Sequence, residues 1–175
     1  MGISSEVIAS LAAMPLRFER DFCLIPRAYT RWKPDSTDKD THEFSAIELA
    51  RHLLDVETEG YQVRIQRMLK ETNPWLAAID GRASISTHID DAVEPREVLA
   101  EFRAARRATV RLIQGIDEYQ MERQGYLRGH GQMTLRGLIY YLCSHDLQHL
   151  ACLQWLLGRI DSQVIIGAFG GHSAS

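Results

Sequence analysis

Two histidines lie four residues apart in an apolar stretch toward the end of the chain, where the sequence from Ser144 to Leu150 reads SHDLQHL. On a helix, residues at this spacing lie one above the other, with Cβ atoms about 5 to 6 Å apart. The imidazoles of His145 and His149 can then bind one ion at about 2.0 to 2.1 Å, the distance typical of zinc sites. The spacing alone leaves two interpretations open: a pair of core histidines or a pair of metal ligands.

The sequence around this pair favours metal ligands. Apolar and aromatic residues flank it at helical spacing, so both side chains are predicted to face the core. A buried neutral imidazole needs partners for both nitrogens, and a shared metal ion supplies one partner to each ring. His52 lies on the core side of a different predicted helix, and helical bundles build metal sites from facing helices. The candidate ligands are therefore His52, His145 and His149.

Two carboxylates lie close to these candidates in the sequence. Asp55 comes one turn after His52 and could orient its ring by accepting a hydrogen bond from the imidazole N–H that does not face the metal. A solvated carboxylate is the alternative. Asp146 follows His145 directly, so it points about 100° away around the helix. For Asp146 we predict a salt bridge or a helix-packing role and not metal ligation.

Four amphipathic helices are predicted to position these residues. The first begins after Ser4 or Ser5, the second at the capping box SAIE that starts at Ser45, and the third at Pro95, a favourable first helical position. The fourth is predicted from residue 135 to about 157, with Thr134 as its N-cap. No convincing alternating pattern predicts a strand, so the predicted fold class is all-α, a four-helix bundle.

Two residues are predicted to interrupt or end helices. Pro15 should kink or break the first helix, because its ring removes a backbone donor and clashes with the preceding turn. Gly158 is predicted to stop the fourth helix. The chain is therefore divided into one helical-bundle domain over residues 1–160 and a Gly-rich C-terminal tail over 161–175.

Long connectors are predicted between helices 2 and 3 (residues 71–94) and between helices 3 and 4 (residues 117–133). A connector this long in a small domain often covers a functional opening. The connectors carry His88 and His130, whose roles the sequence leaves open; an exposed loop position is the favoured interpretation of both.

Two other groups of side chains are interpreted structurally. A stripe of arginines on the third helix, with Arg106 beside it, is predicted to be a solvated face: Arg103, Arg107 and Arg111. Aromatic residues in the connectors and the fourth helix are interpreted as core and not as pocket walls: Trp75, Tyr126, Tyr140 and Tyr141.

The composition limits the partners and the compartment. With 175 residues and a net charge of −3, the chain gives no electrostatic reason to expect nucleic acid or an anionic membrane as partner. Residues 138–157 lack Lys, Arg and Glu, but two His, one Asp and two Gln argue against a membrane span. The three cysteines, Cys23, Cys143 and Cys152, form no CxxC pair and predict a reducing cytoplasm. Cys143 and Cys152 are interpreted as small buried residues.

Several of these segments together resemble the DinB-like superfamily of four-helix metalloproteins (DinB/YfiT-like). The similar stretches include HEFSAIELARHLLDVETEGYQVRIQRML and GQMTLRGLIYYLCSHDLQHLACLQWLL, and the resemblance covers about residues 8 to 157. It implies a metal site of three histidines, with His52, His145 and His149 at the matching positions. A Trp that many members carry before the capping Ser is replaced here by Phe44, which is a conservative change.

The resemblance also implies an activity. Three imidazoles leave a coordination position open, as in catalytic metal sites. A metal-bound water could then attack a carbonyl, or the metal could activate a thiolate, as in the thiol-dependent transferases of the superfamily. We therefore expect a hydrolase or a thiol S-transferase that depends on zinc or nickel. Its substrate should be a small molecule, with a low-molecular-weight thiol as one candidate. We also expect a homodimer. The alternative is a non-enzymatic, stress-associated bundle that binds a metal or a ligand.

Overall fold

The computed structural model describes residues 2–34, 44–78 and 93–169, with side chains up to residue 163. Within these ranges the chain is mostly helical, and a short 3₁₀ turn over Arg27–Tyr29 follows the first helix. The helical segments are α1 (Ser5–Phe22), α2 (Ala46–Asp55), a π-helix (Val56–Tyr61), α3 (Gln62–Lys70), α4 (Pro95–Gln114), α5 (Glu118–Met121) and α6 (Leu135–Phe169). The strands are β1 (Trp75–Leu76), β2 (Gln124–Leu127) and β3 (Gly131–Thr134).

The helices begin where the sequence predicts. Ser4 caps α1, accepting a hydrogen bond from the Val7 amide at 3.3 Å. Ser45 and Glu48 form the predicted capping box at the start of α2. Pro95 is the first residue of α4, and the Thr134 hydroxyl accepts from the Gly137 amide in the first turn of α6. The predicted starts are confirmed because each depends on local residues: three on a side-chain contact with the backbone and the fourth on the fixed φ of a proline.

The long helices form a four-helix bundle, as predicted. Both α1 and the α2 segment pack against α4 and α6. Their apolar faces enclose two core clusters, and α6 contributes Leu142 to one and Leu150 to the other. The stretch of α6 that carries His145 and His149 therefore lies between the two clusters along the helix.

The helix break at Pro15 and the helix stop at Gly158 that the sequence predicts do not occur. The first helix does not break at Pro15 but continues to Phe22. The fourth helix does not stop at Gly158 but continues to Phe169. A helical glycine costs only about 1 kcal/mol relative to Ala, and Ile160, just beyond it, is buried in a core cluster. The division into a domain of residues 1–160 and a tail stays a prediction.

A small sheet, which the sequence analysis did not predict, forms in the connectors. β2 and β3 pair antiparallel as a hairpin, and β1 adds parallel to β2. Gly125 in β2 lies so close to its neighbours that an added Cβ would meet the Pro74 carbonyl at 3.3 Å. The hairpin thus packs tightly against the end of α3. Residues 79–92 of the first connector, including His88, lie outside the described residues.

Within the described ranges, no helix is long and apolar enough to cross a membrane.

Candidate metal centre

The three histidines singled out from the sequence meet at one point in the bundle. His52 on α2 and His145 on α6 bring their Nε2 atoms to 3.3 Å, and the Nε2 atoms of His145 and His149 are 3.0 Å apart. One nitrogen of each ring lies within 4.8 Å of the others. The i, i+4 pair on α6 and the facing residue on α2 therefore present three converging nitrogens.

These spacings fit a shared metal ion. Two ligands about 2.0 to 2.1 Å from one ion lie about 2.8 to 3.4 Å apart when the angle between them ranges from 90° to tetrahedral. Both measured nitrogen–nitrogen distances, 3.3 and 3.0 Å, fall in this interval. The donor set is neutral nitrogen only, which suits zinc, nickel and other imidazole-binding metals.

The surroundings of His52 and His145 disfavour their charged forms. Burial, together with the other two imidazoles and two nearby arginines, lowers the pKa of His145 to about 2. Burial also lowers the pKa of His52, although the Asp55 carboxylate opposes that shift. An uncharged ring has a free lone pair for a metal at neutral pH. The protonation state that ligation requires is therefore built into the fold.

Aromatic rings hold His52 and His145 in place. The Phe44 ring stacks on His52, with centroids 5.9 Å apart and 18° between the planes. The Tyr61 ring lies 5.9 Å from His145. Asp55 is buried and pairs with Arg51 at 2.9 Å, while Nδ1 of His52 has no hydrogen-bond partner in the described part of the chain. Asp55 thus acts on His52 through its charge and not through a hydrogen bond to Nδ1.

The π-helix brings more of this helix to the site. The Gln62 amide donates to the Glu57 carbonyl five residues back, the π pattern. In an uninterrupted α-helix, nine residues turn about 900°, which would put His52 and Tyr61 on opposite faces. In the structure both line the same cavity, together with Arg64. The wider π turn therefore changes the phase of the helix so that α3 contributes to the site.

A buried guanidinium ties the bundle together behind the histidines. Arg106 on α4 forms salt bridges with Glu57 in the π-helix at 2.8 Å and with Asp146 on α6 at 2.5 Å. It also donates to the Leu11 carbonyl at 3.3 Å, which is the carbonyl that Pro15 leaves without its helical amide partner. The salt bridge predicted for Asp146 is confirmed.

The hydrogen bond from Arg106 to the Leu11 carbonyl also explains why α1 continues through its proline.

Burial opposes the charge on Arg106, but its two carboxylate partners outweigh that effect and raise the pKa of the guanidinium. Arg106 therefore keeps its charge at any pH at which the protein is folded. The guanidinium joins side chains or backbone from α1, α4, the π-helix and α6 at one point beside His145.

A cavity of about 160 Å³ opens beside the histidines. Its wall combines imidazole, phenol, guanidinium and aliphatic groups: His52, Val56, Tyr61, Arg64, Ala78, Leu127, Arg128, His130, Tyr141 and His145. This volume is smaller than the roughly 300 to 1,000 Å³ of sites for drug-sized ligands. It fits a small molecule or one end of a larger one.

The structure confirms one interpretation made from the sequence and corrects another. His130 is exposed in the turn between β2 and β3, as favoured, and it also lines the cavity, its ring 5.0 Å from that of Tyr141. Tyr141 and the other aromatic residues interpreted as core are substantially exposed, and Trp75 stacks on Tyr126 at the surface, with centroids 4.3 Å apart. Arg64 and Arg128 could not be identified from the sequence, because neither belongs to a motif.

A second groove, of about 320 Å³, lies between α1 and α4. Its lining combines apolar residues of α1, including Pro15 and Leu16, with the predicted arginine stripe of α4. Of that stripe, Arg107 and Arg111 are exposed, and Arg103 pairs with Glu19. The groove contains no histidine and no carboxylate among its described lining residues, so the larger volume does not make it the candidate site.

Comparisons with known proteins agree with the fold. The sequence model of the DinB superfamily matches residues 23–153. Among solved structures, YfiT from Bacillus subtilis, described as a probable metal-dependent hydrolase with an unusual four-helix bundle topology, superposes with a TM-score of 0.75 at 21% identity over 92% of this chain and 91% of that one. A DinB-like protein (YjoA) from Bacillus subtilis superposes with a TM-score of 0.57 at 13% identity over 90% and 93%. A comparison with curated proteins finds no significant match.

Proposed function

The chain belongs to the DinB superfamily, and on that basis we propose that it is a metal-dependent enzyme for a small molecule, with His52, His145 and His149 as the metal ligands. The observation that carries this proposal is the convergence of three imidazole nitrogens, with separations of 3.0 and 3.3 Å, beside an open cavity. A structural site would have no need of the cavity, whereas a catalytic site needs room for a substrate.

The metal and the residues around it have separate roles in this proposal. A divalent ion bound by these three imidazoles would supply Lewis-acid activation of a substrate oxygen or sulfur. The histidines hold it as neutral ligands, and the ring of Phe44 fixes the orientation of His52. Zinc and nickel are the proposed ions. Hydrolysis is the first candidate reaction because YfiT is described as a probable metal-dependent hydrolase; thiol-dependent transfer is the second.

Metal content tests the ligands directly. We expect close to one zinc or nickel per chain in protein purified without chelator and without a nickel affinity column, measured by inductively coupled plasma mass spectrometry. The double variant His145→Ala, His149→Ala should lose this metal, because one imidazole alone does not hold a divalent ion tightly. His130→Ala is the matched control: it removes another imidazole from the same cavity, and the metal content should stay unchanged.

Metal content and turnover of these variants decide between an enzyme, a non-enzymatic metal-binding bundle and no metal site at the histidines. Unchanged metal in the double variant, or equal loss in His130→Ala, would show that the cluster is not the metal site. Metal-loaded protein should then be assayed with esters, amides and thiol-conjugation substrates beside the double variant. Turnover that depends on the histidines supports an enzyme. Metal without turnover, combined with a large loss of thermal stability on chelation, supports the non-enzymatic metal-binding bundle.

Three further expectations belong to the same proposal. We propose a small-molecule substrate, including a low-molecular-weight thiol, and no nucleic-acid or membrane partner. A homodimer that packs through bundle helices is proposed and is testable by light scattering on the purified chain. A cytoplasmic location is proposed from the three cysteines, none of which is part of a disulfide in the described structure.

A further inference from the structure

The charges on the cavity wall are of one sign. Two guanidinium groups line it, Arg64 from α3 and Arg128 from the turn after β2, and no carboxylate lies among its described lining residues. The chain as a whole carries a net charge of −3, so this local excess of positive charge is opposite to the overall balance. A divalent ion on three neutral imidazoles would add two more positive charges. A pocket of this kind attracts and concentrates anions.

Arg64 is a buried cation without a carboxylate partner in the described part of the chain. Its side chain is buried, and both of its hydrogen bonds, from Nε at 3.3 Å and from Nη2 at 2.8 Å, go to the neutral carbonyl of Ala77. The Tyr61 ring lies 5.5 Å from the guanidinium. Buried charges are normally paired, and burial indeed lowers the pKa of Arg64. The two contacts fix the plane of the guanidinium and leave Nη1 without a hydrogen bond to described residues.

Arg128 supplies the second cation from a different element. Its amide donates to the Leu76 carbonyl at 3.0 Å, which anchors the start of the turn, while its side chain is exposed and forms no salt bridge among the described residues. Several other arginines described in the structure do pair with carboxylates, including Arg67, Arg103 and Arg136. The two arginines without such a partner at the cavity are thus placed for a charge that comes from outside the chain.

We propose that Arg64 and Arg128 form an oxyanion subsite beside the three histidines, and that the substrate carries a carboxylate or phosphate group that this subsite binds. Guanidinium groups bind both oxyanions through paired N–H donors. The cavity of about 160 Å³ admits a small acid or the acidic end of a larger molecule. The proposal rests on the proposed function for the identity of the site, and it adds the chemical class of the substrate.

Binding, not turnover, tests the subsite. Succinate and propyl phosphate are titrated calorimetrically into the full-length zinc-loaded protein, with succinamide and propanol as uncharged analogues. We expect saturable binding of at least one anion and none of the analogues. Arg128→Met and Arg64→Lys should each weaken anion binding by about tenfold or more, since a hydrogen bond between charged groups contributes about 1.5 to 3 kcal/mol. Arg107→Met, which removes the same charge from the groove between α1 and α4, should leave it unchanged.

The controls keep the two proposals apart. Zinc content is measured on the same samples, and Arg128→Met should retain all of it, so lost anion binding is assigned to the arginine. Tighter binding of succinate identifies a carboxylate substrate, and tighter binding of propyl phosphate identifies a phosphate substrate; both support the subsite. Equal binding of the uncharged analogues, or anion binding unaffected by both arginine variants, would overturn it. If the wild-type protein takes up no zinc when it is offered, yet still binds anions through these arginines, the metal proposal is overturned and the subsite is not.

Discussion

Replacing Arg106 by Met should destabilise the fold more than any other single loss of charge on α4. All five N–H groups of this guanidinium donate: two to Glu57 at 2.9 and 2.8 Å, two to Asp146 at 2.5 and 2.9 Å, and one to the Leu11 carbonyl at 3.3 Å. The three side chains are only 2%, 1% and 6% exposed. Arg106→Met keeps the length and apolar stem of the side chain and leaves two buried carboxylates without their counter-ion.

The expected loss follows from that burial. Removing one partner of a buried ion pair costs about 3 to 5 kcal/mol, because the remaining charge is buried and uncompensated. For a chain of this size, 1 kcal/mol shifts Tm by about 2 to 4 °C, so Arg106→Met should lower Tm by about 6 to 20 °C. Thermal unfolding followed by circular dichroism, with chemical denaturation for the free energy, measures both quantities.

Two further variants identify the cause. Arg103→Met, three residues earlier on the same helix, removes a charge paired with Glu19 where the side chains are 34% and 26% exposed; it should cost less than about 1 kcal/mol. Replacing all three charges together, with Glu57→Met and Asp146→Leu added to Arg106→Met, should recover much of the loss, because no unpaired charge remains. If Arg106→Met costs no more than Arg103→Met, the reasoning from burial is wrong.

Three other predictions concern the hairpin, the thiols and the metal. Gly129→Ala should cost about 1 to 2 kcal/mol in unfolding free energy by denaturant titration, because Gly129 has a φ of +84°; unchanged stability would mean that the turn adopts another conformation. Exposed Cys23 should react with a thiol reagent at pH 7.5 well before Cys152, since burial raises the pKa of the Cys152 thiol and so lowers its thiolate fraction; mass spectrometry of the labelled peptides gives the order. Protein in free metal at a thousand times the Kd should have an unfolding free energy about 4 kcal/mol higher than chelated protein. The double histidine variant should show no such difference.

Those parts of the fold that depend on neighbouring residues could be predicted from the sequence. Capping contacts such as those of Ser45 and Thr134 act within one helical turn, so a local pattern is enough to identify them. The histidine pair on α6 could be recognised for the same reason. The facing residue, His52, could be placed on the core side of its own helix, and the family resemblance then linked it to the pair.

The parts that were missed depend on contacts between distant segments. Gly158 is a common helix stop, but the buried side chain of Ile160 beyond it keeps the helix going. Arg106 has the same local sequence environment as the exposed arginines beside it, and its partners lie 40 and 49 residues away along the chain. The strands of the hairpin are four residues each, too short for a clear alternating pattern. His130 and Arg128 reach the cavity only because that hairpin forms.

The π-helix over Val56–Tyr61 affects how this chain is compared with its relatives. A relative whose second helix is α-helical throughout has one residue fewer between the positions of His52 and Tyr61, so a correct alignment places a gap inside a helix. An ungapped alignment pairs Tyr61 and Arg64 with residues that point elsewhere, and the cavity wall then looks unrelated even where it is shared. Aligning the two halves of this helix separately, one from His52 and the other from Arg64, restores the correspondence and identifies which relatives carry the same pair of cations.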